Sequence, residues 1–323
     1  MTASSSCGAA SDRFPQENPR QPLAQERNRY DETSRAGKNG QAAAYAQILS
    51  AGFLWGILGL WNRALMAEGV SPISIVAIRS IGGALLLCAI FAVKDPSMFR
   101  VERAHLKYFF GTGVISVVLF TICYFSCQKL CSLAVVSILL YTAPSFVVLM
   151  AALLWKEPVT KRKLLALLLT LAGCALVCGV VGGDLAITVP GVLLGLGAGF
   201  FYALYSIFGR YALRYYTPLK CTVWMFIFAA GASLFLIRPG ELAALADVKL
   251  GLIAVVLVVV STVAPYLLYT AGLAKEESGK ASIMASLEPV TAALLGVLVF
   301  GEPMSAATAA GIALVLSGVY ILR

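Results

Sequence analysis

Apolar residues dominate this chain in long blocks rather than alternating with polar ones, and the blocks recur with little between them. They predict spans near 44–66, 71–93, 106–128, 131–154, 163–182, 189–213, 218–237, 249–272, 280–300 and 304–322. Each approaches the roughly 20 residues that cross about 30 Å of hydrocarbon. Backbone groups in lipid must be satisfied within their own segment, so each span is expected to be a helix. Residues 1–43 have no such block: they are polar, carry Pro15, Pro19 and Pro22, and read as a disordered cytoplasmic tail. The expected architecture is an all-α polytopic membrane protein.

A second pattern lies on top of the first. Shifted by 145 residues, Ser116 falls on Ser261, Tyr124 on Tyr269, Ser137 on Ser282 and Pro144 on Pro289. Glu157-Pro158 falls on Glu302-Pro303, and Gly173 on Gly318. Thirteen of the fifty-eight positions from 116 to 173 are identical in this register. Towards the start of each half the shift drifts: Trp55 meets Tyr202 at 147, and Pro72 meets Pro218 at 146. The chain therefore divides into residues 44–182 and 189–323, each with five spans. An odd number of crossings makes the second half enter from the opposite side, which predicts ten transmembrane helices as two inverted five-helix repeats with a site near the midplane.

Composition fits this picture. Hydrophobic residues make up 59% of the chain and charged residues 13%, with a mean hydropathy of +0.85; a soluble domain is about a quarter charged. The net charge of +9 does not point to nucleic acid, because Lys and Arg are scattered over short inter-span loops. With the N-terminus inside, fourteen of them fall on inner loops and four, Arg63, Lys129, Arg238 and Lys249, on outer ends. The positive-inside rule then puts both termini in the cytoplasm. Eight cysteines lie mostly within spans and read as packing residues, and a single His105 leaves no basis for a His-based metal site or triad. No phosphate-binding Gly-rich loop is present. No cofactor is called for.

With Glu157-Pro158, Gly301-Glu302-Pro303, the Ser-Leu-Glu-Pro run at 286–289 and Arg79 in the second span, the chain resembles the EamA-like branch of the drug/metabolite transporter superfamily. The resemblance covers everything but the tail. It implies transport of small metabolites, often amino acids or drug-like compounds and often outward, in a bacterial plasma (inner) membrane, by a monomer or homodimer. The first half departs from the pattern, since Thr142-Ala143-Pro144 lacks the carboxylate that Glu288 supplies in the second.

The residues offer several candidates. Arg79 and Glu288 each lie about eight residues, roughly 12 Å, inside a span, approaching the midplane from opposite sides. Intramembrane charges usually face a cavity or one another. A fixed ion pair and a substrate- or proton-binding role both fit these positions. Trp55, Tyr124, Tyr141, Tyr202, Trp224, Tyr266 and Tyr269 sit within spans rather than in an interfacial belt, and either pack helices or line a cavity. Pro144 and Pro289 at matching mid-span positions predict kinks, static or gating. Glu157 and Glu302 read as boundary residues before a proline at a helix start. A membrane-embedded enzyme acting on a lipid-linked substrate is the alternative to a transporter. It lacks a clustered set of Asp, Glu and His for the chemistry.

Overall fold

The computed structural model describes residues 38–181, 185–236 and 239–322; most of the tail, Arg238 and Arg323 lie outside the described residues. The described chain is all-helical. We label its ten main helices α1 (Gly40–Ala67), α2 (Pro72–Lys94), α3 (Arg103–Gln128), α4 (Leu133–Trp155), α5 (Lys161–Val177), α6 (Val189–Ala212), α7 (Pro218–Ser233), α8 (Val248–Leu273), α9 (Ser278–Phe300) and α10 (Ala306–Ile321). Seven of these, α1–α4, α6, α8 and α9, are long and apolar enough to cross a membrane, and α7 and α10 are shorter apolar helices.

The helix starts explain themselves chemically. Ser71, Thr160, Thr188, Thr217, Asp247 and Ser305 each accept a first-turn backbone N–H with the side chain, which satisfies a donor that the helix cannot. Pro72 and Pro218 occupy first positions, where a missing N–H is no loss. Thr160 and Ser305 also correct a sequence expectation. The helices do not begin at Pro158 and Pro303 but three residues later, where a hydroxyl is available to cap them.

The irregularities of α3, α4, α8 and α9 recur with the repeat, whereas α1 is interrupted at Ile57 and its counterpart α6 is not. α3 widens into a π-helical stretch at Gly111–Leu119 and α8 at Val259–Val263. In each a hydroxyl bonds a carbonyl five residues back, Ser116 Oγ to Gly111 O and Thr262 Oγ1 to Leu257 O, both at 2.9 Å. α4 breaks after Leu140, with Tyr141 and Thr142 outside the helix, and α9 breaks at Ser286, 145 residues on. Pro144 and Pro289 therefore do not kink intact helices: they lie in the first turn after each break. α4 and α9 both end on a left-handed residue, Lys156 (φ 55°) and Gly301 (φ 66°), again 145 apart. The next amide reaches back to Ala151 O or Gly296 O to close the helix.

Packing follows the same doubling. α1 packs on α8 and α9, as α6 does on α3 and α4, while α2 pairs with α7 and α5 with α10. The breaks are accommodated by glycine on the neighbouring helix. A Cβ on Gly52 would lie 3.0 Å from Ala285 O, and one on Gly199 2.7 Å from Leu139 O. Non-helical backbone at membrane depth is tolerated only where protein covers it, and these two approaches cover it. Between α5 and α10 the contact is reciprocal: Gly173 lies against Gly311 O, and Gly318 against Ala166 O. These pairs exchange under the 145-residue shift, and as one helix advances from 166 to 173 its partner falls from 318 to 311. The two helices run antiparallel.

Candidate functional site

Two adjoining chambers lie between the halves, sharing a wall of Trp55, Tyr202 and Tyr266. The larger encloses about 680 Å³ of empty space with its mouth, the smaller about 450 Å³, both within the usual size range of small-molecule sites. The larger takes Arg79 from α2, Thr121 from α3, Met225 and Phe226 from α7, Thr262 from α8 and Glu288 from α9. The smaller takes Ala143 and Pro144 from α4, Tyr205 and Ser206 from α6, Tyr269 from α8 and Ser282 and Ala285 from α9.

Both charged side chains of the larger chamber are set by a backbone device. Glu288 stands in the first turn after the α9 break, where the exposed amide ends of a helix favour a negative charge. Arg79 is steered by the π-helical stretch of α8: its Nε donates to Thr262 Oγ1 at 3.0 Å, and that hydroxyl donates in turn to Leu257 O. The guanidinium is thus anchored through Nε, and Arg79 lines the chamber. Among the described residues no ion pair within 4.0 Å joins Arg79 to Glu288. Both charges line one space without neutralising each other by contact.

The rings of the aromatic wall contact one another. Trp55 meets Tyr266 edge-on and Tyr269 at a tilt, both with centroids 5.4 Å apart; Tyr205 and Phe226 also press on Tyr266, at 5.2 and 5.5 Å. Two hydroxyl pairs lock it, Tyr205 with Thr270 and Tyr269 with Ser206, each at 2.7 Å. Such faces can hold an apolar body or a cation.

Of the sequence candidates, Trp55, Arg79, Tyr202, Tyr266, Tyr269, Glu288 and Pro144 line the chambers. Four lie elsewhere. Trp224 is in the second turn of α7, packs with Phe109 and Phe228, and donates its indole N–H to Met98 O at 3.0 Å, so it anchors the α2–α3 connection. Tyr124 packs with Cys127 and Val136 on the flank of α3. Tyr141, at the break in α4, packs against Cys174, Val290 and Val315. Pro289 is buried just beyond Glu288, outside both chambers. Sequence reasoning missed Phe226 and Tyr205, which carry no signal beyond being aromatic in a span.

Comparison with known proteins agrees with this architecture. The EamA-like transporter family matches residues 42–179 and 189–323, one match for each half. An uncharacterized transporter of Archaeoglobus fulgidus is 27% identical over 279 residues, covering 83% of this chain and 98% of its own. The uncharacterized transporter YwfM of Bacillus subtilis is 27% identical over 282 residues, covering 85% and 92%. A solved crystal structure superposes with a TM-score of 0.72 at 20% identity, over 87% of this chain and 96% of its own, a likeness of fold alone. The protein is a membrane transporter, not an enzyme, and it belongs to the EamA-like transporter family.

Proposed function

We propose that the protein is a secondary transporter of small metabolites, of the amino-acid or drug-like class, that exports them by alternating access around the two chambers. In this reading ten helices cross the membrane as two inverted five-helix repeats, and the antiparallel, reciprocal contact of α5 with α10 supports it. Two equivalent helices related by a twofold axis in the membrane plane meet in this way. The loop charges favour cytoplasmic termini, and the bacterial relative favours the plasma membrane. Residues of a single chain line both chambers, which fits transport by a monomer or by each subunit of a homodimer.

The observation that carries the proposal is the pairing without contact of Arg79 and Glu288 across one aromatic-walled space. A permanently closed ion pair would only hold helices. Two separated charges can receive a dipolar molecule, an anionic group on the Arg79 fork and a cationic group on Glu288, with the apolar body against Trp55, Tyr202 and Tyr266. Glu288 can also exchange its proton for that cationic group, which would couple transport to pH.

The test is counterflow and accumulation in proteoliposomes across pH 5.5 to 8.5, screening zwitterionic, cationic and neutral metabolites. Removing one partner of a desolvated charge contact typically costs about 2–5 kcal/mol, about 30- to several-thousand-fold. Glu288→Gln and Arg79→Gln should each lose transport on that scale while still folding, and Glu288→Gln should flatten the pH profile. Wild-type transport with an unchanged pH profile in Glu288→Gln would remove Glu288 from the site.

A further inference from the structure

The two ends of the molecule differ where the repeat would make them alike. At one end the Glu157 carboxylate, 5% exposed, accepts the first backbone N–H groups of α9: Oε1 from Ser278 N at 3.1 Å and Oε2 from Gly279 N at 3.3 Å. α9 has no cap of its own, since the side chain of Glu277, its flanking residue, caps nothing. Its start is held by a residue 121 positions away in the other half. A buried Lys163 Nζ stands 3.9 Å from Glu157 and 2.6 Å from Glu277. The first part of α9 packs against the second part of α4, and Ala143, Pro144 and Val147 of the one and Ser282 and Ala285 of the other line the smaller chamber.

The 145-residue shift carries Glu157 to Glu302, Ser278 to Leu133 and Gly279 to Ala134. At that end the contact is not made. Glu302 is half-exposed and paired with Arg63 Nη1 at 2.8 Å, while the start of α4 receives no side-chain cap. Ser132, the residue best suited to cap it, has its hydroxyl buried without a hydrogen-bond partner. Leu133–Leu140 and Leu287–Phe300, the counterparts of the packed half-helices, are not packed on one another in that way.

We propose that Glu157 and Glu302 are the two bolts of an alternating latch. The described state is bolted by Glu157 at the end where α4 finishes and α9 begins, cytoplasmic in the orientation proposed above. In the opposite state Glu302 leaves Arg63 and caps α4 at Leu133 and Ala134, while Glu157 releases α9. The two bolts compete because one rocking of the halves brings each pair of half-helices together only by separating the other. Lys163 and Glu277 have Thr308 and Ser132 as counterparts, so the ion pair reinforces the Glu157 bolt alone and the described state is favoured at rest. This inference rests on the alternating-access reading.

The test is labelling of a single cysteine introduced at Ser282, a chamber residue beneath the Glu157 bolt. The other cysteines are replaced, and a membrane-impermeant thiol reagent is applied to right-side-out and inverted vesicles. Glu157→Ala should speed labelling from the cytoplasmic face at least tenfold. Glu302→Ala should slow it several-fold, because the competing state loses its bolt. Unchanged labelling in Glu157→Ala, or unchanged or faster labelling in Glu302→Ala, overturns the latch. If Glu157→Ala fails to reach the membrane, the exposed Glu302 variant decides alone. Labelling needs no substrate, so a chain that carries none of the screened metabolites can still pass this test, and an active transporter can still fail it.

Discussion

The two halves agree in backbone and disagree in charge. The breaks at 141–142 and 286, the left-handed ends at 156 and 301 and the hydroxyl caps at 160 and 305 recur at one offset, and the π-helical stretches overlap in the same register. They do so although Thr160 has become Ser305 and Lys156 has become Gly301. Arg79 instead faces Met225 as its counterpart, and Glu288 faces Ala143, all four on the chamber walls. Under the proposed alternating access, a frame that rocks symmetrically would need its covered breaks twice, whereas a site at the centre of the rocking would be reached from both sides and would need each charge only once.

Outside the chambers, Lys163 breaks that symmetry. It is 2% exposed and lies between two carboxylates, whereas its counterpart Thr308 sits near the surface and shares a hydroxyl contact with Ser305. Removing one partner of a buried ion pair typically costs about 3–5 kcal/mol, because the remaining charge stays buried and unpaired. Lys163→Met should therefore lower the unfolding free energy measured in detergent by an amount of that order, and Thr308→Ala by less than about 0.5 kcal/mol. Comparable losses in the two variants would mean that the ends are energetically alike.

What was legible in the sequence follows from which signals are local. Helices were legible because a bilayer demands some twenty apolar residues in a row, and the doubling because breaks and ends keep Pro144/Pro289 and Glu-Pro in register. Arg79 and Glu288 were legible because charge in such segments is rare. The function of Glu157 was not, since its acceptor role depends on amides 121 residues away. Nor was the sorting of aromatics. Tyr141 and Tyr202 look alike in a run of apolar residues, yet the first falls in the break of α4 and packs outside the chambers while the second lies within unbroken α6 and lines both. The π-helical stretches left as their trace only Ser116 matching Ser261.

The glycines that cover the breaks sharpen the comparison further. Gly52 and Gly199 do the same work in opposite halves, but with unequal room: the nearest carbonyl would lie 3.0 Å from a Cβ at Gly52 and 2.7 Å at Gly199, where Thr142 Oγ1 also crowds to 2.8 Å. Overpacking a fitted contact typically costs about 1–3 kcal/mol. Gly199→Ala should fall in that range and Gly52→Ala below it, read as unfolding midpoints in the same detergent. Equal or reversed losses would show that the two covers do not differ as their spacing implies.

The smallest effect should come with opposite signs from the two left-handed ends. Lys156 and Gly301 hold the same backbone conformation at equivalent positions. Both are exposed, and a Cβ at Gly301 would meet nothing within 4 Å, so side-chain packing does not enter. A residue with a Cβ pays about 1–2 kcal/mol in this region, and glycine does not. Against that, glycine loses more freedom on folding, by about 0.4–1 kcal/mol. Lys156→Gly should then stabilise by up to about 1 kcal/mol and Gly301→Ala destabilise by a similar amount, from the same balance read in opposite directions. Two shifts of the same sign would mean that one of the ends is not left-handed in the folded protein, and the doubling of the frame would fail at that point.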